Sequence, residues 1–256
     1  MTVHPVAAGG FSSAASSYAR IRPAYARAAV GEVADAARSV GTGARLLDVA
    51  AGTGILTGQL ARLGLDVTAV EPLDPMARHL VRAVPAAPAV LGVAEALPLR
   101  SGTFDVCTVA QAFHWFDAPA ALTELARVLV PGGELFLLWN ARDASEPWVA
   151  ALTDLVEART GGRPYDDHRE QPWDDLVAAS ARFGPLETRR WPNPVPTDVD
   201  GVLERLRSTS FVATLAPSAR EALLVEAGEL LTDRFGLSGR FTYPHDTVLH
   251  RCRRLD

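Results

Sequence analysis

From residue 44 to residue 140 the chain alternates short apolar runs with amphipathic stretches, the pattern of parallel strands joined by crossover helices. Strands are predicted at Arg45–Val49, Val67–Val70, Ala89–Gly92, Val106–Ala110 and Glu134–Trp139. Helices are predicted near Ile55–Leu63, Pro75–Val84 and Ala118–Leu129, the last ended by Pro131, Gly132 and Gly133. Upstream, Phe11 to Ser39 is helical by composition, with Pro23 where a new helix could start. Downstream of Pro147 the pattern changes. Trp148–Thr160 reads as an amphipathic helix and Arg163–Pro172 as a polar connection. Helices near Asp198–Ser208 and Ser218–Phe235 separate apolar strands around Leu186–Trp191 and Thr247–Arg251, read as an antiparallel pair closing the sheet. The expected fold is α/β, a doubly wound, mostly parallel seven-stranded sheet with right-handed crossovers. It is one integrated domain in three parts: an N-terminal helical cap (1–40), a core (41–145), and lid helices with the closing strands (146–256).

The first strand carries the chemistry. L-L-D-V-A-A-G-T-G-I-L-T, Leu46 to Thr57, delivers Asp48 to a strand tip, turns sharply at Gly52 and Gly54, and opens a helix. Glycine there lets a ligand approach and tolerates positive φ. Glu71 ends the next apolar run, the spacing of a nucleoside-cofactor site. A dinucleotide wants a third glycine and a bare helix N-terminus for its pyrophosphate, but Thr57 stands at the third glycine and Asp48 would repel phosphate. A carboxylate suits a cationic ligand instead, such as a sulfonium with its α-amino group, and Glu71 can take both hydroxyls of a ribose. S-adenosylmethionine is therefore favoured over a dinucleotide.

Composition narrows the class. The chain has 256 residues, 48% hydrophobic and 21% charged, which is globular and long enough for a substantial core. A net charge of −5 lacks the basic footprint of a nucleic-acid binder. All 25 basic residues are arginine, read as a composition bias of a high-GC genome. Cys107 and Cys252 each sit in an apolar run, which argues against a disulfide framework and for a reducing compartment. Neither a membrane span nor a signal-peptide layout is visible, so a cytoplasmic protein is expected, monomer or homodimer, with no nucleic-acid or membrane partner.

Several segments together resemble the class I S-adenosylmethionine-dependent methyltransferases. They are L-L-D-V-A-A-G-T-G, V-T-A-V-E-P-L-D-P-M-A, G-V-A-E-A-L-P-L-R-S-G-T-F-D-V, A-Q-A-F-H-W-F-D and E-L-A-R-V-L-V-P-G-G-E-L. The likeness is to the small-molecule branch that includes ubiquinone-biosynthesis and trans-aconitate methyltransferases, and S-Y-A-R-I-R-P-A-Y is similar to that branch's N-terminal cap. It covers residues 11 to 145 well and the rest in outline. It implies a Rossmann-like fold, S-adenosyl-L-methionine as cofactor and S-adenosyl-L-homocysteine as product. It also implies that Asp48 and the backbone of Ala50, Gly52, Thr53 and Gly54 hold the methionine end, and that Glu71 takes the ribose hydroxyls. Pro72, Met76, Ala94 and Glu95 would meet the adenine, and Gln111 would lie under the sulfonium. Two residues depart from the family's pattern: Ala50 stands at the first glycine of the loop, and Val93 where an adenine-binding Asp is frequent.

Methyl transfer from a sulfonium mainly needs alignment and exclusion of water, which explains why no compact catalytic motif is visible. A base is required only if the acceptor must lose a proton. His114 is the candidate because it follows the fourth strand; the alternative is a structural or cofactor-side role, since H-W-F is shared by relatives with different acceptors. Trp115 and Phe113 read as pocket walls. Tyr18, Arg22 and Tyr25 either close over the cofactor or pack and solvate in the cap. No residue is assigned to a metal: His245 and His250, five apart on a strand, face opposite sides, and His168 lies in a polar turn. Trp148, Trp173, Phe183, Trp191 and Phe211 suggest a lid for an apolar or aromatic acceptor, with a carboxylate for an arginine. The function expected is methylation of a small-molecule acceptor, in the setting of specialised metabolism. The alternative is a non-methylating member that uses the sulfonium for a rearrangement or as a structural ligand, with a dinucleotide oxidoreductase a distant third.

Overall fold

The computed structural model describes residues 21–162 and 172–256. Seven strands form one sheet: β1 (Arg45–Val49), β2 (Asp66–Glu71), β3 (Ala89–Leu91), β4 (Phe104–Ala110), β5 (Leu129–Arg142), β6 (Glu187–Pro192) and β9 (His245–Arg253), in the order β3-β2-β1-β4-β5-β9-β6. The first five are parallel, while β9 runs antiparallel to both β5 and β6. The expected closing pair is therefore present, and the fold is the mostly parallel, doubly wound α/β sheet. A separate ribbon joins β7 (Val195–Thr197) and β8 (Phe241–Tyr243).

The helices are α1 (Arg27–Val40), α2 (Ile55–Ala61), α3 (Asp74–Ala83), α4 (Ala118–Val128), α5 (Pro147–Thr160), α6 (Trp173–Ala179), α7 (Val199–Arg207), α8 (Ser210–Ala213) and α9 (Pro217–Glu229), the last continued by a π-helical turn over Leu230–Arg234. Local chemistry starts several of them. Asp117 caps α4 by accepting from the Ala120 amide at 3.1 Å, and Asp198 caps α7 through Gly201 at 2.8 Å. Proline occupies the first turn of α3, α4, α5 and α9, where its missing N–H costs nothing.

Both sheet faces are buried, so alternate residues of one strand serve different cores. Leu47, Val109, Leu137 and Trp139 pack beneath α4 and α6, whereas Leu46, Val106, Phe136 and Leu138 pack beneath α1 and α2. Each such side chain contributes roughly 1.5–3 kcal/mol. A third cluster unites Trp148 and Leu152 of α5, Leu206 of α7, Leu223 of α9 and Tyr243 of β8.

Three expectations need correction. α1 begins at Arg27, not at Pro23, because residues 23–26 run without helix and are held by side chains. α6 and the β7–β8 ribbon were not foreseen. Among the described aromatics read as a lid, only Trp148 belongs to the third cluster. Trp173 and Phe183 pack in the sheet core, Trp173 stacked 5.2 Å from Trp139, and Trp191 packs on the α1 face. The side chain of Phe211, together with Tyr18, His168 and most of the 163–172 connection, lies outside the described residues. Among the described residues no helix is long and apolar enough to cross a membrane.

Residues 23–26 are fastened to the sheet by a buried polar cluster. Asn140 donates to the Pro23 and Ala24 carbonyls at 3.2 Å and accepts from Thr247 at 2.6 Å and Asn193 at 3.0 Å. Thr247 in turn accepts from the Ala26 amide, and Gln59 brackets Tyr25 by accepting from its amide and donating to its carbonyl. Asn140→Ala strands the Thr247 hydroxyl and the Pro23 carbonyl, while the Ala24 carbonyl keeps its bond from Asn193. It should cost about 2–4 kcal/mol in urea unfolding and speed amide exchange at residues 24–26.

Candidate active site

The strand order reverses between β1 and β4, and in such sheets the crevice beyond the strand tips at that point receives ligands. A cleft opens there, lined by Asp48 of β1, Glu71 of β2, the loop Ala50–Thr53, Pro72, Leu73, Met76, Val93, Ala94, Glu95 and Gln111. Tyr25, Ile55, Leu56, Trp115 and Phe116 complete the wall.

The loop is built to bring backbone close to that ligand. Gly52 and Gly54 have φ of 60° and 84°, and a Cβ on Gly54 would stand 2.9 Å from Leu80 Cγ. Ala50, at the position where glycine was expected, adopts φ 53°, and Gln111 just past β4 adopts φ 58°. Both are strained for an L-residue, and both line the cleft. Ala50→Gly should relieve about 1–2 kcal/mol of left-handed strain and lose about 0.4–1 to the freer unfolded chain. A small gain in urea midpoint, with cofactor affinity intact, is the expected result.

Glu71 holds the loop as well as lining the cleft. Its carboxylate accepts from the Gly52 amide at 2.8 Å and the Leu73 amide at 3.0 Å. Two carboxylate oxygens offer about four acceptor sites, so room remains for two ligand hydroxyls. Asp48, buried beneath the loop, accepts from the Thr57 hydroxyl at 2.6 Å and the Thr108 hydroxyl at 2.9 Å. Thr57 thus has a positive reason to replace glycine: it orients the acid. Thr108 was missed too, and its only sequence signal is a polar residue inside an apolar strand. Burial lifts Asp48 to about 6 and Glu71 to about 7, against opposing hydrogen bonds; the nearby Asp48 charge adds to the rise at Glu71.

Of the other expected residues, Pro72, Met76, Ala94, Glu95 and Gln111 all line the cleft. Glu95 also accepts from the Asp117 amide at 3.1 Å, tying its loop to the start of α4. The hydroxyl of Thr53 is buried in the cleft wall with no hydrogen-bond partner, a polar group placed for a ligand atom. Trp115 is a wall as expected, whereas Phe113 packs inward, edge-on to Phe116 and Trp173. His114 does not line the cleft: its Nδ1 accepts from Trp139 Nε1 at 3.4 Å and its ring lies 4.8 Å from Trp115. Arg22 also stands off the lining, near His245. Among the described residues no three His, Cys, Asp or Glu side chains gather as a metal site.

Comparison with known proteins agrees with this geometry. A family model described as a methyltransferase domain matches residues 47–137. An uncharacterized methyltransferase of Mycobacterium tuberculosis is 36% identical over 94% of this chain and 94% of its own. The chain belongs to the class I S-adenosylmethionine-dependent methyltransferases. A demethylmenaquinone methyltransferase of Beutenbergia cavernae is 31% identical over 69% of this methyltransferase and 78% of its own length. A solved structure described as a type II methyltransferase from Anaeromyxobacter dehalogenans superposes with a TM-score of 0.66 at 25% identity, covering 91% of this chain and 97% of that one.

Proposed function

We propose that this methyltransferase binds S-adenosylmethionine in the β1/β4 cleft and methylates a small-molecule acceptor at the mouth of that cleft. The observation that carries the reading is a buried carboxylate, Glu71, facing a cleft at the topological switch point with acceptor sites to spare. When bound, the cofactor supplies an activated methyl group on a sulfonium. The chain's own residues bind and orient. Glu71 accepts the two ribose hydroxyls; Met76, Pro72 and Ala94 enclose the base, with Glu95 at its edge; and Thr53 with the Ala50–Gly54 backbone meets the amino-acid end. Asp48 contributes negative potential from beneath the loop, opposite the ligand's positive charge. Gln111, Trp115 and Tyr25 shield the sulfonium from water.

His114, in contact with Trp115 and Trp139, acts in this reading by holding the Trp115 wall. Residues 41–145 form the cofactor core in this reading, and residues 146–256 the acceptor side. A relative named for a small molecule, demethylmenaquinone, supports the acceptor class. A cytoplasmic monomer or homodimer acting on a specialised metabolite completes the proposal.

Calorimetric titration with S-adenosylmethionine and S-adenosylhomocysteine tests it. Micromolar binding of both is expected, followed by adenosylhomocysteine release on turnover. Binding without any adenosylhomocysteine in the presence of an acceptor panel would favour a non-methylating role, and no binding at all would end the reading.

A further inference from the structure

Beyond the cofactor cleft, the tip of β5 carries a second cluster of chemistry that none of the roles above uses. Arg142 ends β5, and its register partner on the antiparallel strand β9 is His245. The His245 ring is 2% exposed and lies 4.4 Å from the ring of Tyr243, which lies 4.8 Å from that of Trp148. Above Tyr243, at 5.2 Å, sits the guanidinium of Arg205, itself buried on α7. Three elements and the third hydrophobic cluster thus converge on one imidazole.

The hydrogen bonding of that imidazole is incomplete. Nδ1 stands 3.0 Å from the Tyr243 carbonyl oxygen, which can only accept, so the proton is on Nδ1. Nε2 is then a bare acceptor, and it is buried with no partner. A buried acceptor left in this state costs free energy unless a ligand donates to it. Burial, and after it the positive charges of Arg205, Arg142 and Arg22, drive its titration down to about 3 and keep it neutral. Gathering cations around a neutral ring beneath an aromatic lid is the arrangement for an anion that carries a neighbouring hydrogen-bond donor.

The segments that carry Arg142 and Arg22 also reach the cofactor cleft. Gln111, which lines the cleft, donates to the Asn140 carbonyl at 3.4 Å, two residues before Arg142. Tyr25, which also lines it, follows Arg22 by three residues. An anion seated on these arginines would lie at the acceptor side of the cleft.

We propose that the methyl acceptor is an organic oxyanion, a carboxylate or phosphate ester held by Arg142, Arg205 and Arg22, with a hydroxyl or amine of the same molecule donating to Nε2 of His245. The assignment as acceptor rests on the methyltransferase reading; the anion site itself does not.

The test uses the full chain with 4-hydroxybenzoate, 4-hydroxyphenyl phosphate and the neutral 4-hydroxybenzamide at matched ionic strength, each with and without S-adenosylhomocysteine. Binding is read by calorimetry and by the ring nitrogen signals of His245, assigned with His245→Gln. At least one oxyanion probe should bind about tenfold or more tighter than the amide, since charge-assisted contacts are lost with the neutral probe. The two oxyanion arms separate a carboxylate from a phosphate preference. Bound oxyanion should also raise the pH at which His245 titrates. Arg142→Gln, at a half-buried site, should remove that advantage while leaving adenosylhomocysteine affinity within about twofold. Arg205→Met should do the same, and if it fails to fold, Arg142→Gln alone decides. Equal binding of amide and oxyanions, or an oxyanion advantage that survives Arg142→Gln, would overturn the proposal. Oxyanion binding without adenosylhomocysteine binding would end the methyltransferase reading and leave the anion site standing; the converse would end this proposal alone.

Discussion

Glu71→Gln should weaken S-adenosylmethionine binding by about a hundredfold or more. A charge-assisted hydrogen bond is worth roughly 1.5–3 kcal/mol, and the substitution removes the anion that would accept two ribose hydroxyls at once. The amide oxygen can accept from the Gly52 N–H or the Leu73 N–H, but its NH₂ group cannot accept from the other. The loop after β1 should therefore loosen, and unfolding stability should drop by about 1–3 kcal/mol from the stranded donor. Calorimetry on a variant shown to be folded by circular dichroism separates the two effects. Unchanged affinity would remove Glu71 from the cofactor site.

Without ligand, the protein should lose stability as pH rises from about 4.5 to 7.5. The ordinary values are 3.8 for Asp48 and 4.5 for Glu71, and burial raises them to about 6 and about 7 in the fold. Between the unfolded and folded values the native state holds more protons than the unfolded chain. Stability from these groups is therefore fully present below about pH 4 and is lost as pH climbs through 6 and 7. Each group contributes on the order of 3 kcal/mol, with the two coupled because their charges repel. Cofactor affinity should run the other way, because ionised carboxylates face the sulfonium and accept the hydroxyls. Titrations near pH 6.5 in buffers of different ionisation heat should show proton release on binding, fading by pH 8.5. Asp48→Asn should flatten part of the stability profile. A melting temperature flat across this range would contradict the buried-acid account.

The parallel core was legible because period and punctuation agree there. β1 has the bounds that the run R-L-L-D-V suggests, and the glycine turn and Glu71 both line the cleft at the β1/β4 switch point. Elements of three residues, such as β7 and β8, carry no measurable period. α6 is seven residues long and follows a polar stretch, so it left no helical signature, and its Trp173 looked like a lid residue although it packs in the sheet core. Pro23 marked a possible helix start, but Asn140 and Asn193 hold the following residues extended.

Fold, family and cofactor class were therefore written in the chain itself, since strand runs, a glycine turn and two acids at set offsets act through neighbours in sequence. Side-chain meetings across long separations were not. Thr247 reaches Asn140 across 107 residues, and His245 lies within the charge of Arg142, Arg205 and Arg22, which come from three other segments. Likewise, the orientation of α2 that aims Thr57, in its first turn, at Asp48, and the packing that withdraws His114 from the cleft, depend on how finished elements dock. Those contacts have no local pattern because folding of the whole sheet, and not the propensity of any one segment, brings them together.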